Sequence, residues 1–175
     1  MNAYPEYVTA IRVAVALVFL VAAVAKLKHL ATFAGVVANY RLLPQVLATP
    51  FAYGLPPLEL LLGVALLAGL RGAEWVAAGL LLLFAVAMGI NIARGRAHID
   101  CGCFNSTLMQ PLKIAFLVRN LLLAALLLLA ANAGAPVLDV TLLLGALGGL
   151  AVFTIIQGLN AVLAIPPLKR RHAHG

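Results

Sequence analysis

PLKIAFLVRNLLLAALLLLAAN, residues 111–132, decides the fold class, because after Lys113 its only charge is Arg119 and every side chain from Leu121 to Ala131 is apolar. A bilayer core of roughly 30 Å needs about 20 apolar residues in a helix, so this segment reads as a membrane span. Four other segments come close to that length, near 8–29, 55–71, 74–93 and 138–165. Hydrophobic residues make up 65% of the 175, charged residues 10%, and mean hydropathy is +1.10. That is the composition of a polytopic membrane protein. The expected fold is all-α: a helical bundle of about five transmembrane helices, a four-helix core plus one, forming a single integral membrane domain over 1–175 with a basic tail at 166–175.

The first segment carries Arg12 early and is followed by no small-residue cleavage site leading into a soluble domain, so it reads as a retained helix and not a signal peptide. After it, Ala34 to Leu47 mixes apolar residues with Asn39, Tyr40, Arg41 and Gln45. Pro44 and Pro50 are expected to interrupt any continuous helix there, leaving an amphipathic segment in the membrane interface. In the last segment, the Gly145-xxx-Gly149 spacing permits close helix approach.

Sidedness follows from Lys and Arg, which cytoplasmic ends retain in excess. With five spans, Lys26, Lys28, Arg41, Arg94, Arg96, Lys113, Arg119, Lys169, Arg170 and Arg171 collect on one side, against Arg12 and Arg71 on the other. This predicts an outside N-terminus, a cytoplasmic C-terminus and a cytoplasmic loop three. The net charge of +7 then lies against anionic lipid headgroups and calls for no nucleic acid. No phosphate-binding glycine loop, dinucleotide fingerprint or Ser-His-Asp arrangement is legible.

Loop three holds both cysteines of the chain, in His98-Ile99-Asp100-Cys101-Gly102-Cys103-Phe104. On a helix, residues two apart point about 200° from each other, so the sulfurs cooperate only in an extended or turn conformation, which Gly102 eases. A disulfide across one residue closes a very small ring, departs from relaxed geometry and is easily reduced. Thr107-Leu108-Met109-Gln110 has the form of a capping box, which predicts that the fourth span starts just after the cysteines with Pro111 in its first turn. The positive end of that helix, with Arg94, Arg96 and Lys113, favours thiolate; Asp100 and apolar burial oppose it. Three readings of the pair stay open: a redox-active dithiol, a metal site of Cys101, Cys103, His98 and Asp100, or two half-buried residues without chemistry.

Charges inside spans are expensive and tend to be paired or functional. Glu59, Lys26 and Arg119 fall toward the same membrane face, so Glu59 is expected to pair with Lys26 or Arg119 beneath the cysteine loop. Arg12 is expected to meet Glu74 or Asp139 on the far face. Asn91, Asn120, Gln157 and Asn160 are expected to hydrogen-bond between helices.

Ile99-Asp100-Cys101-Gly102-Cys103-Phe104, preceded by Asn91-Ile92-Ala93-Arg94-Gly95-Arg96 and followed by Arg119-Asn120-Leu121-Leu122, resembles the methylamine utilisation protein MauE family. Leu55-Pro56-Pro57-Leu58-Glu59-Leu60-Leu61-Leu62-Gly63 and Tyr40-Arg41-Leu42-Leu43-Pro44 are similar to the wider DoxX-like membrane proteins. Asn105 departs from the pattern, which has glycine there. The resemblance implies a bacterial inner-membrane protein that works with a thioredoxin-like partner, MauD, in maturing the disulfide-rich small subunit of methylamine dehydrogenase. Cys101 and Cys103 would then be the working thiols.

The leading expectation is a membrane thiol–disulfide oxidoreductase or its electron-relay component, with His98, Asp100, Glu59, Arg119 and Lys26 supporting the cysteines. By analogy with other helical-bundle thiol oxidases, a membrane quinone near Arg119 would reoxidise the pair. The alternative is a non-catalytic membrane assembly or transport factor, or a metal-binding protein. The charge count also conflicts with periplasmic disulfide formation. The conflict is removed by a reversed topology, by a pair seated within the membrane boundary, or by electrons taken from cytoplasmic thioredoxin.

Overall fold

Glu6–Lys28 is helical because nothing in it breaks a helix: it contains no proline or glycine, and its last turn places Lys26 and Lys28 where the helix dipole favours cations. This is α1 of a computed structural model that describes residues 6–101, 111–132 and 140–164, with side chains over 143–162 in the last stretch. Among the described residues five further helices follow: α2 (Leu30–Tyr40), α3 (Gln45–Leu67), α4 (Ala73–Ala93), α5 (Ile114–Ala131) and α6 (Val140–Ala164). All but α2 are long and apolar enough to cross a membrane. The protein is therefore an all-α, multi-pass membrane bundle.

The core is built by α1, α3, α4 and α5, whose Phe19, Leu66, Leu81 and Leu127 are buried together. α6 packs along the outside of α1 and is the least buried span. Leu61, Val64, Val86, Leu122, Leu129 and Ile155 point outward. In water they would form an oversized apolar surface; against lipid tails they are solvated.

Two glycines set the α1–α6 approach. A Cβ on Gly145 would lie 2.6 Å from Thr9 Cβ, and one on Gly149 would lie 2.7 Å from both the Ala10 carbonyl oxygen and Val13 Cβ. The spacing read from sequence therefore serves packing within the chain. Gly149→Val is expected to push α6 off α1 and cost about 1–3 kcal/mol, the range for overpacking, read as earlier unfolding in an SDS titration of the purified protein.

The structure moves two boundaries. The second span begins at Gln45, ten residues before the expected start, and carries Pro50, Pro56 and Pro57 inside it. The break falls only at Pro44, which is extended (φ −53°, ψ 144°), while its carbonyl accepts from Leu47 and Ala48 N–H to start the helix. Each internal proline removes one backbone bond, a loss that packing against neighbouring helices offsets inside a membrane bundle. The expected interfacial segment at 34–47 is thus divided: α2 ends at Tyr40, Arg41 caps it in the left-handed region (φ 49°), and Gln45 onward belongs to α3.

The start of α5 also differs. Pro111 lies in an antiparallel bridge with Asp100, and Lys113 is the extended residue before the first turn. Pro111 is therefore outside the helix, and the Thr107–Gln110 box does not adjoin its start. That box, Cys103, Asp139 and the basic tail at 166–175 lie outside the described residues.

Candidate functional site

The end of α2 and the stretch after α4 meet at one end of the bundle, and Arg96 ties them. Its guanidinium donates to the Asn39 carbonyl at 2.7 Å, the Tyr40 carbonyl at 3.4 Å and the Asn91 Oδ1 at 3.2 Å. Gly95 makes this possible: its positive φ of 71° turns the chain back after α4 so that Arg96 reaches the end of α2. The Tyr40 hydroxyl then donates to the Cys101 carbonyl at 3.1 Å. Burial, and after it the negative charge of Asp100, push the Tyr40 phenol well above its usual pKa, so it stays a protonated donor.

Cys101 sits in non-helical backbone beside a narrow neck. The Asp100–Pro111 bridge and the Leu112 N–H to Ile99 carbonyl bond at 3.1 Å draw residues 99–101 and 111–112 together. Cys101 is a half-cystine, 7% exposed, with Sγ 3.9 Å from Met88 Sδ and Ile99, Leu112 and Phe116 packed around it. The sequence has one other cysteine, Cys103.

Beneath Cys101 a cavity of about 190 Å³ opens between α2, α3 and α4, with Lys26, Phe33, Tyr40, Phe84, Met88 and Cys101 in its wall. Lys26 is buried and ion-paired to Glu59, itself 1% exposed on α3. The ammonium also stands 5.3 Å from the Phe33 ring centre and 5.2 Å from that of Phe84, a cation–π arrangement that holds its head inside the bundle. The second Glu59 oxygen, Oε2, is buried without a hydrogen-bond partner among the described residues.

Of the two partners expected for Glu59, the structure thus selects Lys26. Arg119 turns toward α6, donating to Asn160 Oδ1 at 2.9 Å and to Asn120 Oδ1 at 3.1 Å, over the Phe116 ring. It does not line the cavity, so a quinone placed near Arg119 has no cavity wall from that residue. Arg12 pairs with Glu74 on the far half of the bundle, as one of its two expected partners. Asn160 bridges α5 and α6 as expected, whereas Asn91 donates within its own helix, to Ala87, and accepts from Arg96.

His98 is exposed on the turn after α4, and Asp100 is partly buried at the neck. Among the described residues no three His, Cys, Asp or Glu side chains converge as a metal site. The sequence reading missed Tyr40, Met88 and Phe84 as site residues. The signal for Tyr40 was an aromatic hydroxyl set between Asn39 and Arg41; Met88 and Phe84 carry none, being ordinary residues of an apolar helix.

Fold and site together define a polytopic membrane bundle with a buried half-cystine in the wall of an apolar, lysine-bearing cavity. A sequence profile described as "Methylamine utilisation protein MauE" matches residues 5–133. The chain belongs to the MauE family. Its relatives include "Methylamine utilization protein MauE" of Paracoccus denitrificans, 42% identical over 84% of this chain and 80% of that one, and that of Paracoccus versutus, 36% identical over 90% and 87%. The protein of the same name from Methylophilus methylotrophus is 49% identical over 64% of this chain and 60% of its own. No solved structure matches.

Proposed function

We propose that this chain is a membrane thiol–disulfide oxidoreductase, or the electron-relay component of one, that works through Cys101 and Cys103 in the inner membrane. The observation that carries this reading is Cys101: a half-cystine held outside any helix by Tyr40 and set against Met88 and the cavity, in a chain with one other cysteine. A structural staple gains little from so short a loop. Membership of the MauE family supports methylamine utilisation as the setting. The partners in this reading are a thioredoxin-like protein and a disulfide-containing client such as the small subunit of methylamine dehydrogenase.

The exchange balances without an added reagent. A client thiolate attacks the Cys103 sulfur and Cys101 leaves as thiolate, giving a client–Cys103 mixed disulfide. The client's second thiolate attacks that bond, leaving the client with a disulfide and this protein with two thiols. The burial of Cys101 supports Cys103 as the sulfur open to a protein partner.

Replacing both cysteines, Cys101→Ser with Cys103→Ser, is expected to abolish methylamine-dependent growth of a complemented deletion strain while leaving the protein in the membrane. Full growth sinks the redox reading. Metal that copurifies with the wild type and vanishes in the double variant supports the metal-carrier alternative instead.

The site's position among the spans supports a pair seated at the membrane boundary, the second of the three ways to reconcile charge and chemistry. The charge count expects a membrane-impermeant maleimide to label the reduced pair only after intact cells are permeabilised. Rapid labelling from outside reverses that orientation.

A further inference from the structure

Once Cys101 and Cys103 are reduced, two electrons must leave them, and the cavity beside Cys101 has the chemistry to receive their acceptor. Phe51 and Leu83 line it and are 38% and 49% exposed on the perimeter of α3 and α4, both membrane-spanning. Its mouth therefore opens to lipid, and an occupant enters from the hydrocarbon phase. Inside, the rings of Phe33, Phe84 and Tyr40 offer flat apolar walls, and Lys26 supplies a charged donor in a place where burial strengthens any interaction it makes. An occupant that matches is membrane-soluble, planar, carries an oxygen acceptor and accepts electrons. A lipid acyl chain satisfies only the first of these, leaving the donor and the ring walls unused.

We propose that this cavity binds the head of an isoprenoid quinone between α2, α3 and α4, which reoxidises the Cys101–Cys103 dithiol. The inference rests on the thiol–disulfide reading and gives it a direction: the protein oxidises its partner. The two thiols lose two electrons and two protons as the S–S bond forms. The quinone takes up both electrons and both protons and leaves as quinol. Cys101, in the cavity wall, is the sulfur that meets the quinone ring, and Cys103 is the one left for the protein partner. Lys26 is a positioning residue that donates to a quinone oxygen and stabilises negative charge developing on it.

The test uses the full-length protein in quinone-free liposomes, reduced and then given a benzoquinone with a single isoprene unit. The expected result is saturable consumption of one quinone per protein with return of the disulfide. Ala87→Phe and, separately, Val37→Phe put a ring into the cavity wall. Each is expected to weaken apparent quinone affinity by about tenfold while thiol exchange with glutathione disulfide is unchanged. On wild-type protein, an azido-quinone is expected to label peptides spanning residues 36–43 or 83–88, in competition with unlabelled quinone, which needs no variant to fold. A reduced pair that exchanges with glutathione disulfide but consumes no quinone overturns the inference and leaves the thiol reading standing. Labelling elsewhere, or a cavity holding an acyl chain that quinone does not displace, overturns it equally. A pair inert toward both reagents overturns the thiol reading and this inference with it.

Discussion

Cys101→Ala is expected to accumulate a mixed disulfide with its protein partner on a non-reducing gel after acid quenching, and Cys103→Ala is expected to accumulate little or none. The difference comes from burial. Cys101 is 7% exposed, packed against Met88 and Phe116, and its carbonyl is held by the Tyr40 hydroxyl, so a folded partner has no approach to its sulfur. With Cys101 removed, Cys103 remains as a lone thiol whose bond to a partner no neighbouring cysteine releases. Mass spectrometry of the trapped species names the partner. Equal trapping by the two variants overturns the assignment of Cys103 as the partner-facing sulfur.

The second large effect is expected at the Lys26–Glu59 pair. Both groups are buried, on α1 and α3. Removing one charge strands the other in a low-dielectric interior, which costs about 3–5 kcal/mol when a buried pair is broken this way. Glu59→Leu is therefore expected to be the least stable single variant, and Glu59→Gln to be weakened as well, by SDS titration or thermal unfolding in detergent. Replacing both, Lys26→Met with Glu59→Leu, is expected to restore most of the stability, because an apolar pair of similar volume removes the desolvation penalty with the charges. It is not expected to restore thiol oxidation, because the ammonium in the cavity is gone. If Glu59→Gln changes neither folding nor thiol reactivity, the pair has no place in the site; if the double variant regains activity with its stability, the pair is structural only.

This contrast separates what is local from what is not. The five spans are legible because length and apolarity are properties of consecutive residues, and the bilayer sets the length required. Gly145 and Gly149 are legible as a close-approach spacing for the same reason, though only the structure places α1 against them. Pro50 was misleading: proline ends helices in water, where the freed carbonyl competes for solvent, but α3 runs through three prolines with α1 alongside it. The expectation that Pro111 stands in the first turn of the fourth span misled in a similar way, since proline is compatible with a helix start but does not require one. The Asp100–Pro111 bridge holds Pro111 in the neck, and α5 starts at Ile114.

The sequence by itself determined the class of protein, the five spans and the two cysteines, and it narrowed Glu59 to two partners and Arg12 to two. Each of these follows from residue types and their separations along one chain. The tertiary structure decided that Glu59 takes Lys26 while Arg119 turns to Asn160, that Arg96 binds the end of α2, and that Tyr40 holds Cys101 at a cavity. Those outcomes depend on how helices far apart in the sequence cross. The Tyr40–Cys101 contact spans 61 residues of chain, and a cavity is the space several helices leave between them, which no single segment encodes.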